Sequence, residues 1–242
     1  MLFRSQGILN RVEQILKDGA TIIDIGGYSS RPGAENVTIK DELKRVTNSV
    51  SLIRKEFPES IISIDTFRSK VAKVALSEGA NIINDISGGE LDSNMFELVA
   101  KSKAPYIIMH MRGNPQTMAN LTDYDNVVQD VVDYFIDKIN HLTNIGVADI
   151  IIDPGFGFAK TVEQNFEILN KLKYLRVFKL PLLAGVSRKS MINRVLNTTP
   201  DMALNGTTVL NTIALMNGAQ ILRVHDVKEA YECIKLYKAT YP

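Results

Sequence analysis

Three polar residues stand at or beside the ends of short isoleucine-rich runs: Asp65 in Ser63-Ile64-Asp65-Thr66, Asn84 in Ile82-Ile83-Asn84-Asp85, and Asp153 in Ile152-Asp153-Pro154-Gly155. Two carboxylates and a carboxamide in apolar surroundings suit a flat heterocycle with an amidine- or guanidine-like edge. A carboxylate accepts two parallel hydrogen bonds from such an edge, and a carboxamide offers a donor and an acceptor. An aspartate in such a place also serves as a simple helix cap, a reading that weighs less for the pair than for either one. Arg223 and His225 are two residues apart after Ile221-Leu222 and so share one side of a strand, as an anion clamp would. The plainer reading is a solvated strand end. Ser187-Arg188-Lys189-Ser190 offers a second set of cations and hydroxyls.

Other motifs exclude more than they assign. Asp153–Thr161 looks like a loose phosphate loop, but Gly157 stands three residues before Lys160, where a P-loop needs glycine immediately before the lysine. ATP binding is therefore not expected. Gly26-Gly27-Tyr28-Ser29-Ser30-Arg31-Pro32-Gly33 reads equally as a closing lid or an ordinary connection. The histidines are three, His110, His141 and His225, with no zinc-binding spacing among them. No protein-only metal cage is expected, while Mg²⁺ held chiefly by a substrate diphosphate stays open. Cys233 is the only cysteine and reads as a small buried hydrophobe, so no intrachain disulfide forms.

The elements that must position these residues alternate. Apolar runs at Thr21–Ile25, Ile61–Ile64, Asn81–Ile86, Tyr106–Met109, Ile150–Ile152, Leu182–Val186 and Ile221–Val224 do not alternate with polar residues, the signature of strands covered on both faces. Helical spacing lies between them, clearest at Ile39, Leu43, Val46, Val50, Ile53 and Phe57 with Thr38 as N-cap. Further helices are expected over Ile8–Lys17, Ser69–Glu78, Val127–Asn144, Thr161–Leu169, Ala203–Met216 and Lys228–Lys238. Asp18-Gly19-Ala20, Glu78-Gly79-Ala80 and Asn217-Gly218-Ala219 repeat one joint, with glycine where a helix end takes a left-handed residue. No linker interrupts the order, which predicts one domain over 1–242.

Polar residues mark the end of every expected strand, which favours an α/β TIM (β/α)₈ barrel with seven of its eight strands visible over an open doubly wound sheet. If the first strand is the one not seen, Ser187–Ser190 and Arg223–Asp226 follow strands seven and eight, where barrels bind phosphate. Ser190–Leu196 would then be the short extra helix of that site. A formal net charge of +1 argues against a nucleic-acid or membrane-surface partner. With no long apolar run and no signal-type start, a cytoplasmic enzyme is expected. Ala203–Met216 is apolar around much of its circumference, which predicts a homodimer near that helix.

Together the strings Gly26–Gly33, Ser63–Thr66, Ile83–Ile86, Met109–Gly113, Asp153–Thr161, Ser187–Ser190 and Arg223–Val227 resemble dihydropteroate synthase, in that family's order and over essentially the whole chain. The resemblance implies a (β/α)₈ barrel that joins 6-hydroxymethyl-7,8-dihydropterin diphosphate to p-aminobenzoate in folate synthesis. It also implies a homodimer, the use of Mg²⁺ and sensitivity to sulfonamides. It implies that Asp65, Asn84, Asp153 and Lys189 hold the pterin, that Ile86, Met109 and Phe158 wall its faces, and that Arg223 stacks on the ring. Ser30, Arg223 and His225 would meet the diphosphate, and Ser30, Arg31, Pro32 and Ser190 the p-aminobenzoate. Asp65, Asp153 and Lys189 would be catalytic, the carboxylates stabilising a pterin cation left when diphosphate departs.

One departure accompanies the match. Gly7-Ile8-Leu9-Asn10 copies the start of the family's first strand and loop, but Arg11-Val12-Glu13 follows and the segment reads as a helix. The expectation is a chain without that strand and loop, and so without the family's Mg²⁺-side asparagine. Such a chain would bind pterin but turn over poorly. A truncated pterin-binding barrel and a methyltetrahydrofolate methyltransferase-type domain remain as alternatives. The latter does not call for the Ser-Ser-Arg-Pro-Gly or Ser-Arg-Lys-Ser segments.

Overall fold

The computed structural model describes residues 2–29 and 36–241. In chain order the elements are α1 (Leu2–Lys17), β1 (Ile22–Gly26), α2 (Ile39–Glu56), β2 (Ile61–Asp65), α3 (Ser69–Ser77), β3 (Ile82–Asp85), α4 (Met95–Ser102) and β4 (Tyr106–Met109). There follow α5 (Val127–Asn144), β5 (Ile150–Asp153), α6 (Val162–Asn170), β6 (Leu183–Ala184), α7 (Ser190–Leu196), α8 (Leu204–Met216), β7 (Ile221–Leu222) and α9 (Val227–Thr240). The chain gathers into two compact units, Met1–Ile108 with Asn140–Ile150, and Met109–Ile139 with Ile151–Pro242. No helix among the described residues is long and apolar enough to cross a membrane.

All recorded strand pairings are parallel, as buried isoleucine-rich runs joined by helices require. One sheet has the order β1-β2-β3-β4-β5, and β6 pairs with β7. In the first unit Gly26 pairs with Asp65 and Asp65 with Asn84, so the polar strand ends are in register. β3 and β4 are buried at every position. In the second unit Ile152 bridges to Leu182, and Leu183 and Ala184 pair with Ile221 and Leu222.

Local chemistry explains most boundaries. The Thr38 hydroxyl accepts the Asp41 amide at 3.2 Å and caps α2, whose Val46, Val50 and Ile53 are at most 1% exposed. Ile39 departs from the expected stripe at 41% exposed, and Glu42, polar by type, is fully buried in its place. A capping box opens α6: Thr161 Oγ1 accepts the Gln164 amide while Gln164 Oε1 accepts the Thr161 amide. At the repeated joints Gly19, Gly79 and Gly218 have φ of 103°, 110° and 98°. The alanine that follows each one donates to a carbonyl five residues back at 2.9 Å, so the sequence repeat is a repeated helix stop.

Two differences from the sequence reading stand out. α4 has no counterpart among the helices that the sequence predicts, because its buried residues, Met95 and Val99, are too few to set up a period. β6 and β7 contain only two residues each, because the chain leaves the ladder as the segments after them turn to side-chain pairing. Arg223 and His225 therefore lie beyond β7, and strand alternation does not decide their direction.

Candidate active site

In the first unit the polar strand ends form one group. Asn84 Nδ2 donates to Asp24 Oδ2 at 3.1 Å and lies 3.4 Å from Oδ1, which ties β3 to β1. Asp65 stands between them in register with Asn84 and is half-buried. Asn84 is 5% exposed, as is Ile86 two residues on. Asp24, within β1, fixes the Asn84 carboxamide through its side chain.

Behind this row, fully buried Asp85 accepts four hydrogen bonds: from the Ser87 amide and hydroxyl, the Gly89 amide and the Tyr106 hydroxyl, at 2.7–2.9 Å. Burial pushes its carboxyl above the ordinary range, and these donors pull the other way. Asp85 is thus a structural peg for the turn after Asn84. A second network was illegible in the sequence. Buried Glu42 accepts from Thr66 Oγ1 at 2.7 Å and from Arg68 at 2.6 Å. The Arg68 guanidinium also donates to the Val37 carbonyl and lies over the Tyr28 and Phe67 rings, at 5.3 and 5.2 Å. Arg45 donates to the Gly27 carbonyl at 3.0 Å. Both therefore brace the segments flanking 30–35, and Ser30, Arg31 and Pro32 themselves lie outside the described residues.

In the second unit Met109 ends β4 at 3% exposed and Asp153 ends β5 at 7% exposed. Asp153 Oδ1 accepts the Gly155 amide at 2.8 Å. Burial raises its carboxyl pKa, opposed by the charges of Lys189, Arg223 and Lys160. A ligand that donates hydrogen bonds to this carboxylate would offset that burial cost. Lys189, half-buried, donates to the Phe156 carbonyl, and its Nζ stands 4.9 Å from the centroid of the half-buried Phe158 ring. Loss of hydration pulls the Lys189 ammonium down to about 8, with Arg223 acting in the same direction and Asp153 against it.

Arg223 and His225 are both exposed and Ser190 is exposed at the first turn of α7. His225 Nδ1 lies 3.0 Å from Ser187 Oγ, which also accepts the His225 amide at 3.1 Å. Arg188 is a paired cation: its Nε and Nη2 donate to the two Asp226 carboxylate oxygens at 2.9 and 2.6 Å. The two segments after β6 and β7 are thus laced together by side chains, and Lys189 directly follows the two residues that make these contacts.

Lys160 and His110 were under-read. In the sequence Lys160 stands out only in a failed P-loop match and His110 only as one of three scattered histidines. The structure buries both, Lys160 at 8% and His110 at 3% exposed, with Nζ 2.9 Å from Nδ1. Burial drives the Lys160 pKa to about 7 and, with the Lys160 and Arg112 charges, holds the His110 pKa near 2, so His110 is neutral. Tyr134 meets the His110 ring edge-on at 4.9 Å.

Set against known proteins, residues 1–225 match the family model described as pterin binding enzyme. The chain is 42% identical over 236 residues to a Synechocystis protein named dihydropteroate synthase, covering 96% of this chain and 81% of that one. An Escherichia coli K12 protein of the same name is 43% identical over 93% of this chain and 80% of its own. Among solved structures, the Yersinia pestis dihydropteroate synthase with a sulfonamide drug complex matches with a TM-score of 0.92 and 39% identity, covering 96% of this chain and 84% of that one. The Xanthomonas albilineans enzyme with 4-aminobenzoic acid matches with a TM-score of 0.91 and 30% identity, over 98% and 85% of the two chains.

Proposed function

The chain belongs to the pterin-binding enzyme family and within it to the dihydropteroate synthases, α/β proteins of the (β/α)₈-barrel class, and from this premise we propose how its residues divide the work. The enzyme is a transferase that condenses 6-hydroxymethyl-7,8-dihydropterin diphosphate with p-aminobenzoate in folate synthesis. In the reaction the methylene C–O bond breaks and diphosphate leaves with the electron pair. The arylamine nitrogen forms the new C–N bond and gives up a proton.

In the first unit, Asp65 and Asn84 recognise the polar edge of the pterin, with Asp24 orienting the Asn84 carboxamide, and Ile86 gives an apolar wall. In the second, Asp153 and Lys189 bind the pterin's complementary donors and acceptors, and Met109 and Phe158 wall its faces. Arg223 stacks on the ring and, with His225, meets the diphosphate; Ser190 meets p-aminobenzoate. Ser30 is assigned to both substrates, and Arg31 and Pro32 to the arylamine. Departure of a multiply charged leaving group calls for cations, and the electron-poor methylene left behind calls for nearby carboxylates such as Asp65 and Asp153.

The observation that carries this division is the geometry of one loop, which gives the Gly155 amide to the buried Asp153 carboxylate and the Phe156 carbonyl and Phe158 ring face to the Lys189 ammonium. A carboxylate held above its usual pKa by burial and an ammonium held below its own are both poised to gain from a ligand that completes their hydrogen bonds.

Mg²⁺ belongs to the proposal only as the counter-ion of the substrate diphosphate. Among the described residues no three His, Cys, Asp or Glu side chains converge as a metal site, so they do not fit a resident ion. A homodimer built through α8, a cytoplasmic setting, and inhibition by sulfonamides at the p-aminobenzoate site complete the reading. The test is incubation of the purified chain with the diphosphate and p-aminobenzoate, with added Mg²⁺. Binding of 6-hydroxymethylpterin is expected, with one diphosphate released for each dihydropteroate formed. Failure to bind 6-hydroxymethylpterin would overturn the assignment of roles.

A further inference from the structure

The loop from Asp153 to Thr161 holds three residues in the left-handed region, Gly155 (φ 70°), Gly157 (φ 80°) and Ala159 (φ 49°), alternating with Phe156 and Phe158. Two carbonyls of this loop, those of Gly155 and Phe158, share one buried donor with the carbonyl of His110. Lys160 reaches back under the loop to meet them: Nζ lies 2.9 Å from the Phe158 carbonyl, 3.1 Å from that of Gly155 and 3.4 Å from that of His110, besides 2.9 Å from His110 Nδ1. The loop also lies hard against the end of β4, because a Cβ on Gly155 would sit 2.1 Å from the His110 carbonyl oxygen.

This geometry holds in either charge state of Lys160. As an ammonium, Nζ donates three hydrogens, and neutral His110 accepts at Nδ1. As an amine it donates two to the carbonyls and accepts from an Nδ1–H. An apolar residue of similar length would fill the space but leave buried carbonyls without this donor. Asn165, 3% exposed, completes the clamp by accepting the Gly157 amide at 2.6 Å and donating to the Thr161 carbonyl at 2.6 Å.

What the clamp positions is the seat of Lys189. Phe156 gives its carbonyl to the Lys189 ammonium and Phe158 its ring face, while Gly155 gives its amide to Asp153. We propose that Lys160 is a positioning residue for the reaction: by gathering the Gly155, Phe158 and His110 carbonyls it sets the loop conformation that aims Lys189 and Asp153 at the pterin. The inference rests on the pterin reading of Asp153 and Lys189 above.

The experiment is calorimetric titration of the purified full chain and its variants with 6-hydroxymethylpterin, together with steady-state kinetics and hydrogen exchange read by mass spectrometry. Lys160→Met and Lys160→Gln should each weaken pterin binding at least tenfold and raise KM for the pterin diphosphate by a similar factor. KM for p-aminobenzoate should change less than twofold. A role in stability alone would lower the melting temperature or the active fraction and leave the affinity of the folded fraction unchanged. Asp153→Asn runs alongside. If it loses affinity while a folded Lys160 variant binds within twofold of the wild type, the positioning role falls and the pterin reading stands. If Asp153→Asn also binds unchanged, the pterin reading itself falls. The wild type supplies a check independent of any variant's folding: amides of 155–159 should exchange no faster than those of β5. Faster exchange would mean the loop is not clamped and would overturn the proposal.

Discussion

Lys160 and His110 form a buried basic pair, Nζ against Nδ1 at 2.9 Å, with both side chains less than a tenth exposed. Two bases share this site because neither need carry a proton there, and stability should therefore depend on pH. Each has a folded pKa below its unfolded one, about 7 against 10.5 for Lys160 and about 2 against 6.5 for His110. The native state then binds fewer protons than the unfolded chain across those windows. Stability is lost through Lys160 as pH falls from 10.5 towards 7 and through His110 as it falls below 6.5, at up to about 1.4 kcal/mol per pH unit per group. At acid pH the raised carboxyls of Asp85 and Asp153 act in the opposite sense. Urea midpoints at pH 7 to 9.5 should rise in the wild type and rise measurably less in Lys160→Met; equal slopes would contradict this account.

Pterin affinity should follow the opposite trend. Lys189 has a pKa of about 8, so its charge, and the hydrogen bonds that depend on it, fade as pH rises through that value. Binding of 6-hydroxymethylpterin should weaken above pH 8, and in Lys189→Arg the decline should vanish. At neutral pH, Asp153→Asn and Lys189→Ala should each cost about 1.5–3 kcal/mol of binding, tenfold or more. Calorimetry showing unchanged affinity in both would remove the assigned pocket.

Glu42 predicts a stability effect distant from the chemistry. It is fully buried and paired to Arg68, so Glu42→Leu leaves the guanidinium without its carboxylate partner and the Thr66 hydroxyl without its acceptor, at a cost of about 3 kcal/mol. Adding Arg68→Met should recover part of that loss, because the double change removes both partners. Strict additivity in denaturant unfolding would show that the pair is not coupled.

Self-association is the fourth test. Val209 and Met216 on α8 are 48% and 58% exposed, and Met202 just before it is 74% exposed. Sedimentation at micromolar concentration should give a dimer for the wild type and a monomer for Val209→Glu with Met216→Glu. A monomeric wild type would remove the α8 interface from the reading.

The helix stops, the strand runs and the polar strand ends were legible because each is a local signal. Thr38 caps its own helix, Gly19, Gly79 and Gly218 close theirs, and Asp65 ends its strand, all within a few residues. The two-residue length of β6 and β7 was not legible, because a ladder ends where its partner strand allows. Nor were the Glu42–Arg68 pair and the Lys160–His110 pair, whose members are 26 and 50 residues apart. Nothing in the type or spacing of such residues announces that burial will force them together. Arg188 shows the reverse error in small: grouped with Lys189 by adjacency, it turns to Asp226 and leaves Lys189 to act alone.

Cys233 lies 6% exposed on α9, with its sulfur 3.1 Å from Thr212 Oγ1. A thiol so covered is slow to react with a maleimide in the folded protein. The chain is therefore ready for site-specific labelling: a cysteine placed on an exposed position of α8, or beside the 155–159 loop, takes a fluorophore while the native thiol stays silent. With no tryptophan anywhere in the sequence, a single tryptophan introduced at Tyr124 or Tyr134 would likewise report on the His110 environment against a dark background.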